Sequence, residues 1–242
     1  MTAAVPGVLG VFAHPDDESL SAGGLLARSA GAGAPTAVVT TTWAEDSVRG
    51  PELAEAARLL GAGEVRMLGY ADALVPGSAP GRPRLVDAPL DEVVRRLVEH
   101  IRELRPEVVV THDAYGGMTG HVDHLHTYRV TALAVEAAGL EQLHPEAGEP
   151  WRPRHLLLAT HPHAVVAQLR EVVGARRAVH GVAEEEITDR LDVTPWLERK
   201  VAAVLAHRSE VERGGVPALV AALPSGARDT LLATEYYIRR TP

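Results

Sequence analysis

Five short runs rich in branched apolar residues punctuate the chain, at 8–13, 36–42, 64–68, 107–112 and 154–160. Between them, at 19–30, 51–60, 90–104 and 121–138, apolar residues recur every three or four positions. Near-continuous apolar strands alternating with amphipathic helices point to a parallel sheet covered on both faces, because a strand buried on both sides has no polar face to show. Gly31, Gly61 and Gly139 stand where helices should end, and Pro106 precedes the fourth run. The Pro/Gly-rich stretch 75–89 and the segment 141–153 read as loops at the sheet's rim. Beyond residue 160 the pattern loosens to a helix over about 195–207, a shorter one near 216–223 and a last strand over 234–239. The expected fold is α/β, a Rossmann-like doubly wound, mainly parallel sheet in three layers with irregular C-terminal additions. No linker or internal repeat divides the chain, so a single domain over 1–242 is expected, its core about 7–160 and its C-terminal helices and strand about 161–242.

In a sheet ordered 3-2-1-4-5, strands one and four are neighbours where the strand order reverses, and ligands bind beyond the carboxyl ends there. The most polar segments of the chain fall at that place. Strand one runs into Ala13-His14-Pro15-Asp16-Asp17-Glu18, and strand four is followed by Gly120-His121-Val122-Asp123-His124. Carboxylates crowded together repel unless a positive group sits among them. His14 and Asp17 lie three apart across a turn, and His121 and His124 three apart at a helix start. Two imidazoles and one carboxylate leave coordination positions open, as catalytic zinc sites do, whereas four protein ligands would close the site. The same donors also suit iron(II). Asp16 is then left beside Asp17 as a candidate general base, and His121 as a candidate acid or oxyanion stabiliser. Asp123 is a candidate partner for an imidazole.

Composition narrows the setting. The 242 residues carry a net charge of −8, which disfavours nucleic acid or an anionic membrane as partner and leaves a small molecule as the expected one. There is no cysteine, so disulfides and thiolate ligands are excluded. The opening residues lack the basic region and apolar length of an export signal, and no stretch approaches the length of a membrane span, so a cytoplasmic setting is expected. The acidic charge neither demands nor forbids a homo-oligomer.

These motifs together resemble the LmbE-like / PIG-L family of metal-dependent N-acetylglucosaminyl deacetylases, which includes the deacetylases of mycothiol and bacillithiol synthesis. The string AHPDDE followed by Gly23-Gly24, then Arg49-Gly-Pro-Glu52 through Gly61, then GHVDH, match in order, and Lys200 through Ser209 and Glu235-Tyr236 look like the family's tail. The resemblance implies a hydrolase that removes an acetyl group from an N-acetylated amino sugar or glycoconjugate. It also leaves room for an amidase acting on a larger conjugate, such as a mycothiol S-conjugate or an acylated natural product. By the same resemblance His14, Asp17 and His124 are metal ligands, usually for zinc. Asp16 is the base, His121 the acid or oxyanion stabiliser, and Asp123 its partner. Arg49 grips substrate with Glu52 in support, and Asp72 accepts a sugar hydroxyl. Two departures stand out. Mycothiol-type members place a tyrosine two residues before the first histidine of the second motif, where this chain has Thr119, with Tyr115 as the substitute candidate. The family's usual tail glutamine is Glu210 here. His161 and His163, after the fifth strand, stand at the correct end of the sheet to touch substrate.

Overall fold

A computed structural model describes residues 5–174 and 179–242. The domain expected over 1–242 therefore includes residues 1–4 and 175–178, which lie outside the described residues. Strands β1 (Val8–Phe12), β2 (Thr36–Thr42), β3 (Glu64–Tyr70), β4 (Val108–His112), β5 (His155–Thr160), β6 (Asp189–Asp192) and β7 (Thr234–Arg240) form one sheet, in the order β3-β2-β1-β4-β5-β7-β6. The first five are parallel in the expected order, and β7 runs antiparallel to both β5 and β6.

Alternation within the buried strands divides the core in two. In β1, Val8 and Phe12 join Ala22, Leu26 and Leu53, beneath α1 (Asp17–Gly31) and α2 (Arg49–Leu60). Leu9 and Val11 join Leu97, Ile101 and Val130, beneath α3 (Leu90–Leu104) and α4 (Val122–Ala138). Each such Val, Leu, Ile or Phe side chain, fully withdrawn from water, contributes about 1.5–3 kcal/mol. α6 (Leu197–Ala206) packs beside α1 and α2 on the first face. There α1 needs Gly24, because a Cβ at that position would come within 2.2 Å of Val193 Cγ1 in the segment leading to α6.

The C-terminal third differs from expectation in detail. The last expected strand exists as β7, but it sits inside the sheet, between β5 and β6. β6 reads Asp-Arg-Leu-Asp, with one apolar residue, and is a strand because β7 pairs with it. Helices α5 (His163–Val173), α7 (Arg208–Glu212) and α9 (Ser225–Leu232) accompany the expected α6 and α8 (Val216–Ala222). β1 pairs directly with β4, Val8 opposite Val108, so the loops after both strands emerge side by side. No helix of the described residues is long and apolar enough to cross a membrane.

Candidate metal centre and active-site cavity

A cavity of about 480 Å³ opens at the carboxyl ends of β1, β4 and β5. His14, Asp16, Asp17, His121 and His124 all line it, so the two motifs do meet there. Their donors are arranged in a definite way. His14 Nδ1 lies 3.3 Å from Asp17 Oδ2 and 3.1 Å from His124 Nε2, and Asp17 Oδ2 lies 3.3 Å from His124 Nε2.

The tautomers follow from what stands behind each ring. His124 Nδ1 is 3.0 Å from the carbonyl oxygen of Gly116, to which it donates, leaving a lone pair on Nε2. His14 Nε2 faces Asp72 Oδ2 at 3.2 Å and Asp123 Oδ2 at 3.4 Å, so it carries the hydrogen and Nδ1 carries the lone pair. Two lone pairs and a carboxylate oxygen thus converge with no hydrogen between them. Such a triangle is stable only around a cation. Tetrahedral bonds of about 2.0–2.1 Å place neighbouring donors about 3.3–3.4 Å apart, which matches the observed edges. With a proton as the cation, His14 itself becomes charged. Burial opposes that charge, but Asp123, Asp17 and Asp72 outweigh it and raise the His14 pKa well above its ordinary value. Asp17 is held well below the usual carboxylate range, burial being overcome by His124 and His112.

Three other overlapping groups of donors are less apt, and one of them joins His121 to His14 and His124. His14, Asp72, His121 and Asp123 lie close together on the far side of the His14 ring. Their atoms are largely committed: Asp123 Oδ2 accepts from Ala73 N at 2.9 Å, and Asp72 Oδ1 accepts from Leu74 N and Val75 N at 2.7 and 3.0 Å. His121 Nδ1 caps α4 by accepting from Asp123 N at 3.2 Å. His112 joins Asp17 and His124 in the third group, yet its Nε2 accepts from Ala13 N at 3.2 Å. Burial, then His124, pushes the His112 pKa down to about 4, so it stays neutral. Its ring stacks on His124 at 4.0 Å, 6° from parallel, and fixes that ring's plane.

Asp16 has an unusual backbone, φ +129°, which a non-glycine residue adopts only under constraint. The constraint is visible: Glu18 Oε2 accepts from Asp16 N at 2.9 Å, and Glu18 Oε1 is paired with buried His207 at 2.8 Å. The Asp16 carboxyl is buried, which pushes its pKa up to about 6 against the pull of Arg49. Arg49 is itself fully buried. It lies 3.1 Å from Asp16 Oδ1 and 3.3 Å from Glu210 Oε1, donates to the carbonyl of Pro15, and stacks 4.7 Å over Trp43.

The remaining expected residues divide. Asp72 and Thr119 line the cavity, with Asp72 engaged behind His14. Asp123 is fully buried and stands closer to His14 than to His121, whose Nδ1 is 3.7 Å away. Glu52 is not among the lining residues; it accepts from Ser209 N and Oγ at 2.8 and 2.7 Å, tying α2 to α7. Tyr115 is 52% exposed, outside the lining, and stacks on His180. His161 lines the cavity, whereas His163 is exposed beside Gly181. His112, Glu18 and His207 had no role assigned from the sequence, although Glu18 ends the first motif and His207 lies in the tail string. His112 was legible as a polar residue ending β4, at the switch point; for the Glu18–His207 pair, 189 residues apart in sequence, there was no local signal.

Comparison with known proteins decides the family. The model of the family PIG-L, GlcNAc-PI de-N-acetylase, matches residues 9–135, a span that holds both motifs. The chain belongs to this family. A PIG-L relative from Streptomyces avermitilis, a 1D-myo-inositol 2-acetamido-2-deoxy-alpha-D-glucopyranoside deacetylase, is 36% identical over 266 residues, covering 94% of this chain and 89% of that one. Among solved structures, a conserved protein of Thermus thermophilus superposes with a TM-score of 0.65 at 28% identity, over 96% of this chain and 93% of its own. The N,N'-diacetylchitobiose deacetylase of Pyrococcus horikoshii gives 0.67 at 21% identity, over 97% and 84%, a likeness of fold.

Proposed function

We propose that this PIG-L protein is a metal-dependent hydrolase, with zinc as its metal and iron(II) as the alternative, that removes the acetyl group of an N-acetylated amino sugar. The convergence of the His14 and His124 lone pairs on Asp17 Oδ2, 3.1–3.3 Å apart and without a hydrogen among them, carries the reading. His14, Asp17 and His124 would hold the metal, and three protein ligands leave a position for reactants. When bound, a divalent cation there supplies Lewis acidity for the amide carbonyl and lowers the pKa of water.

The chain's own groups account for the proton movements. Asp16, held at the cavity wall by its constrained backbone, takes a proton from water as its oxygen attacks the carbonyl carbon. Arg49 keeps that carboxyl in place and favours its charged form. His121, whose Nδ1 accepts from Asp123 N at the start of α4, keeps its hydrogen on Nε2 and would donate it in a hydrogen bond to the developing oxyanion. Burial, then the neighbouring His14, lowers the His121 pKa, which favours the neutral ring that this hydrogen bond needs. Asp16 passes the proton it took to the nitrogen as the C–N bond breaks, and acetate and a free amine result. We extend the reading to the chain as one deacetylase domain, because β7 and α6, both beyond residue 160, complete the sheet and its cover.

The test is acetate release from N-acetylglucosamine derivatives by protein loaded with stoichiometric zinc. Turnover that a chelator abolishes and added zinc restores, and that Asp16→Asn lowers by at least about a hundredfold, is expected. Absence of acetate from every N-acetyl sugar tried, with zinc bound, would overturn the reading.

A further inference from the structure

Besides the donor triad, the cavity has an apolar stretch of wall. It is formed by Leu169 and Val172 of α5, Val216 and Val220 of α8, and Leu231 and Leu232 of α9. At the mouth, Leu74 and Val75 line the same cavity while remaining 71% and 39% exposed. Large apolar side chains left in water around a cleft are an unusual arrangement unless an apolar group covers them.

Two charged groups of the cavity, Lys200 and Glu235, are already engaged with each other. Lys200 Nζ donates to Glu235 Oε1 at 2.7 Å, and the same carboxylate accepts from Gly24 N, Leu25 N and the Tyr237 hydroxyl. His161 stays neutral, burial and then Lys200 pushing its pKa down to about 4. A polyol placed against this wall would give up its water and find few partners, whereas an alkyl or aryl group would lose nothing. The scissile acetyl brings a single methyl, too little to cover six aliphatic side chains.

We propose that the substrate, besides its amide, carries an apolar substituent of several carbons that lies against α5, α8 and α9. The proposal rests on the deacetylase reading and adds the chemistry of the rest of the molecule. The substituent arrives either as a longer N-acyl tail or as an aglycone on the sugar; both present the same methylenes to the wall.

Two substrate series on zinc-loaded protein separate these sources: N-acylglucosamines from acetyl to octanoyl, and alkyl glycosides of N-acetylglucosamine from methyl to octyl. In one series kcat/KM is expected to rise about three- to fourfold per methylene over the first few carbons, and the series that responds identifies the source. Leu231→Asn and Val172→Asn, both at half-buried positions of the wall, are expected to flatten that rise. Calorimetry supplies a readout without turnover: octyl glucosaminide should bind about thirtyfold or more tighter than methyl glucosaminide, with a negative heat-capacity change. Equal affinities, or a flat response in both series while N-acetylglucosamine is still hydrolysed, would overturn the apolar subsite and leave the deacetylase reading standing. Tight octyl glucosaminide binding with no hydrolysis of any member would do the reverse.

Discussion

Replacing Asp72 by asparagine reverses the polarity of one hydrogen bond behind the metal cradle. Asp72 Oδ1 accepts from two backbone N–H groups, at 2.7 and 3.0 Å, so the amide oxygen of an asparagine must occupy that place. Its NH2 group then stands where Oδ2 was, 3.2 Å from His14 Nε2. Two donors now face each other. The ring escapes by moving its hydrogen to Nδ1, which puts that hydrogen between His14, Asp17 and His124, where the cation belongs. Loss of such a supporting carboxylate typically costs about 10–100-fold in metal affinity, or about 1.4–2.7 kcal/mol. Asp123 Oδ2, 3.4 Å from the same nitrogen, still favours the original tautomer, so the single change should fall near the tenfold end. The double variant with Asp123→Asn should exceed the sum of the two single changes. Competition titration against a zinc chelator at neutral pH measures this, with circular dichroism confirming an intact fold. Affinity within twofold of the parent, in a folded Asp72→Asn protein, would refute the assignment of His14's tautomer.

Glu52→Ala removes two hydrogen bonds to Ser209 and should destabilise by about 2 kcal/mol, lowering Tm by about 4–8 °C, while kcat/KM stays near the parent value, as thermal melts and acetate release will show. Gly24→Ala places a methyl 2.2 Å from Val193 Cγ1 and should cost roughly 2–3 kcal/mol, read as a fall in Tm of about 4–12 °C. His100, half-buried beside Arg66, has its pKa pushed down to about 4 by burial and then by that guanidinium. The unfolded chain binds this proton from about pH 6.5, so stability is retained above that pH and falls as pH drops toward 4. His100→Gln should lose about 1–2 kcal/mol less than the parent between pH 7 and 4.5 in urea titrations, the figure allowing for partial exposure; an unchanged loss would contradict the assignment.

The apolar runs foretold β1 to β5 and their order because strands buried on both faces leave little sequence ambiguity. The motifs were legible for a different reason: His14 and His124 each follow a strand that ends at the switch point, so topology joined what sequence separates. Asp72 occupies the equivalent place after β3, but its engagement with His14 depends on the loop's Oδ1 contacts to Leu74 and Val75, which no spacing reveals. Arg49 read as a residue for substrate; its burial between Asp16 and Glu210 required the position of α7, itself five residues long and set by tertiary contacts. β6 was invisible because pairing with β7, not its own pattern, makes it a strand.

The most direct test of the metal cradle compares zinc stoichiometry and affinity in His124→Ala and His121→Ala, since both histidines group with His14 but His124 is the one whose Nε2 also stands 3.3 Å from Asp17 Oδ2. If His14, Asp17 and His124 hold the cation, His124→Ala should lose stoichiometric zinc at micromolar concentrations while His121→Ala keeps one zinc per chain and loses turnover. Zinc retained by His124→Ala and lost by His121→Ala would contradict it.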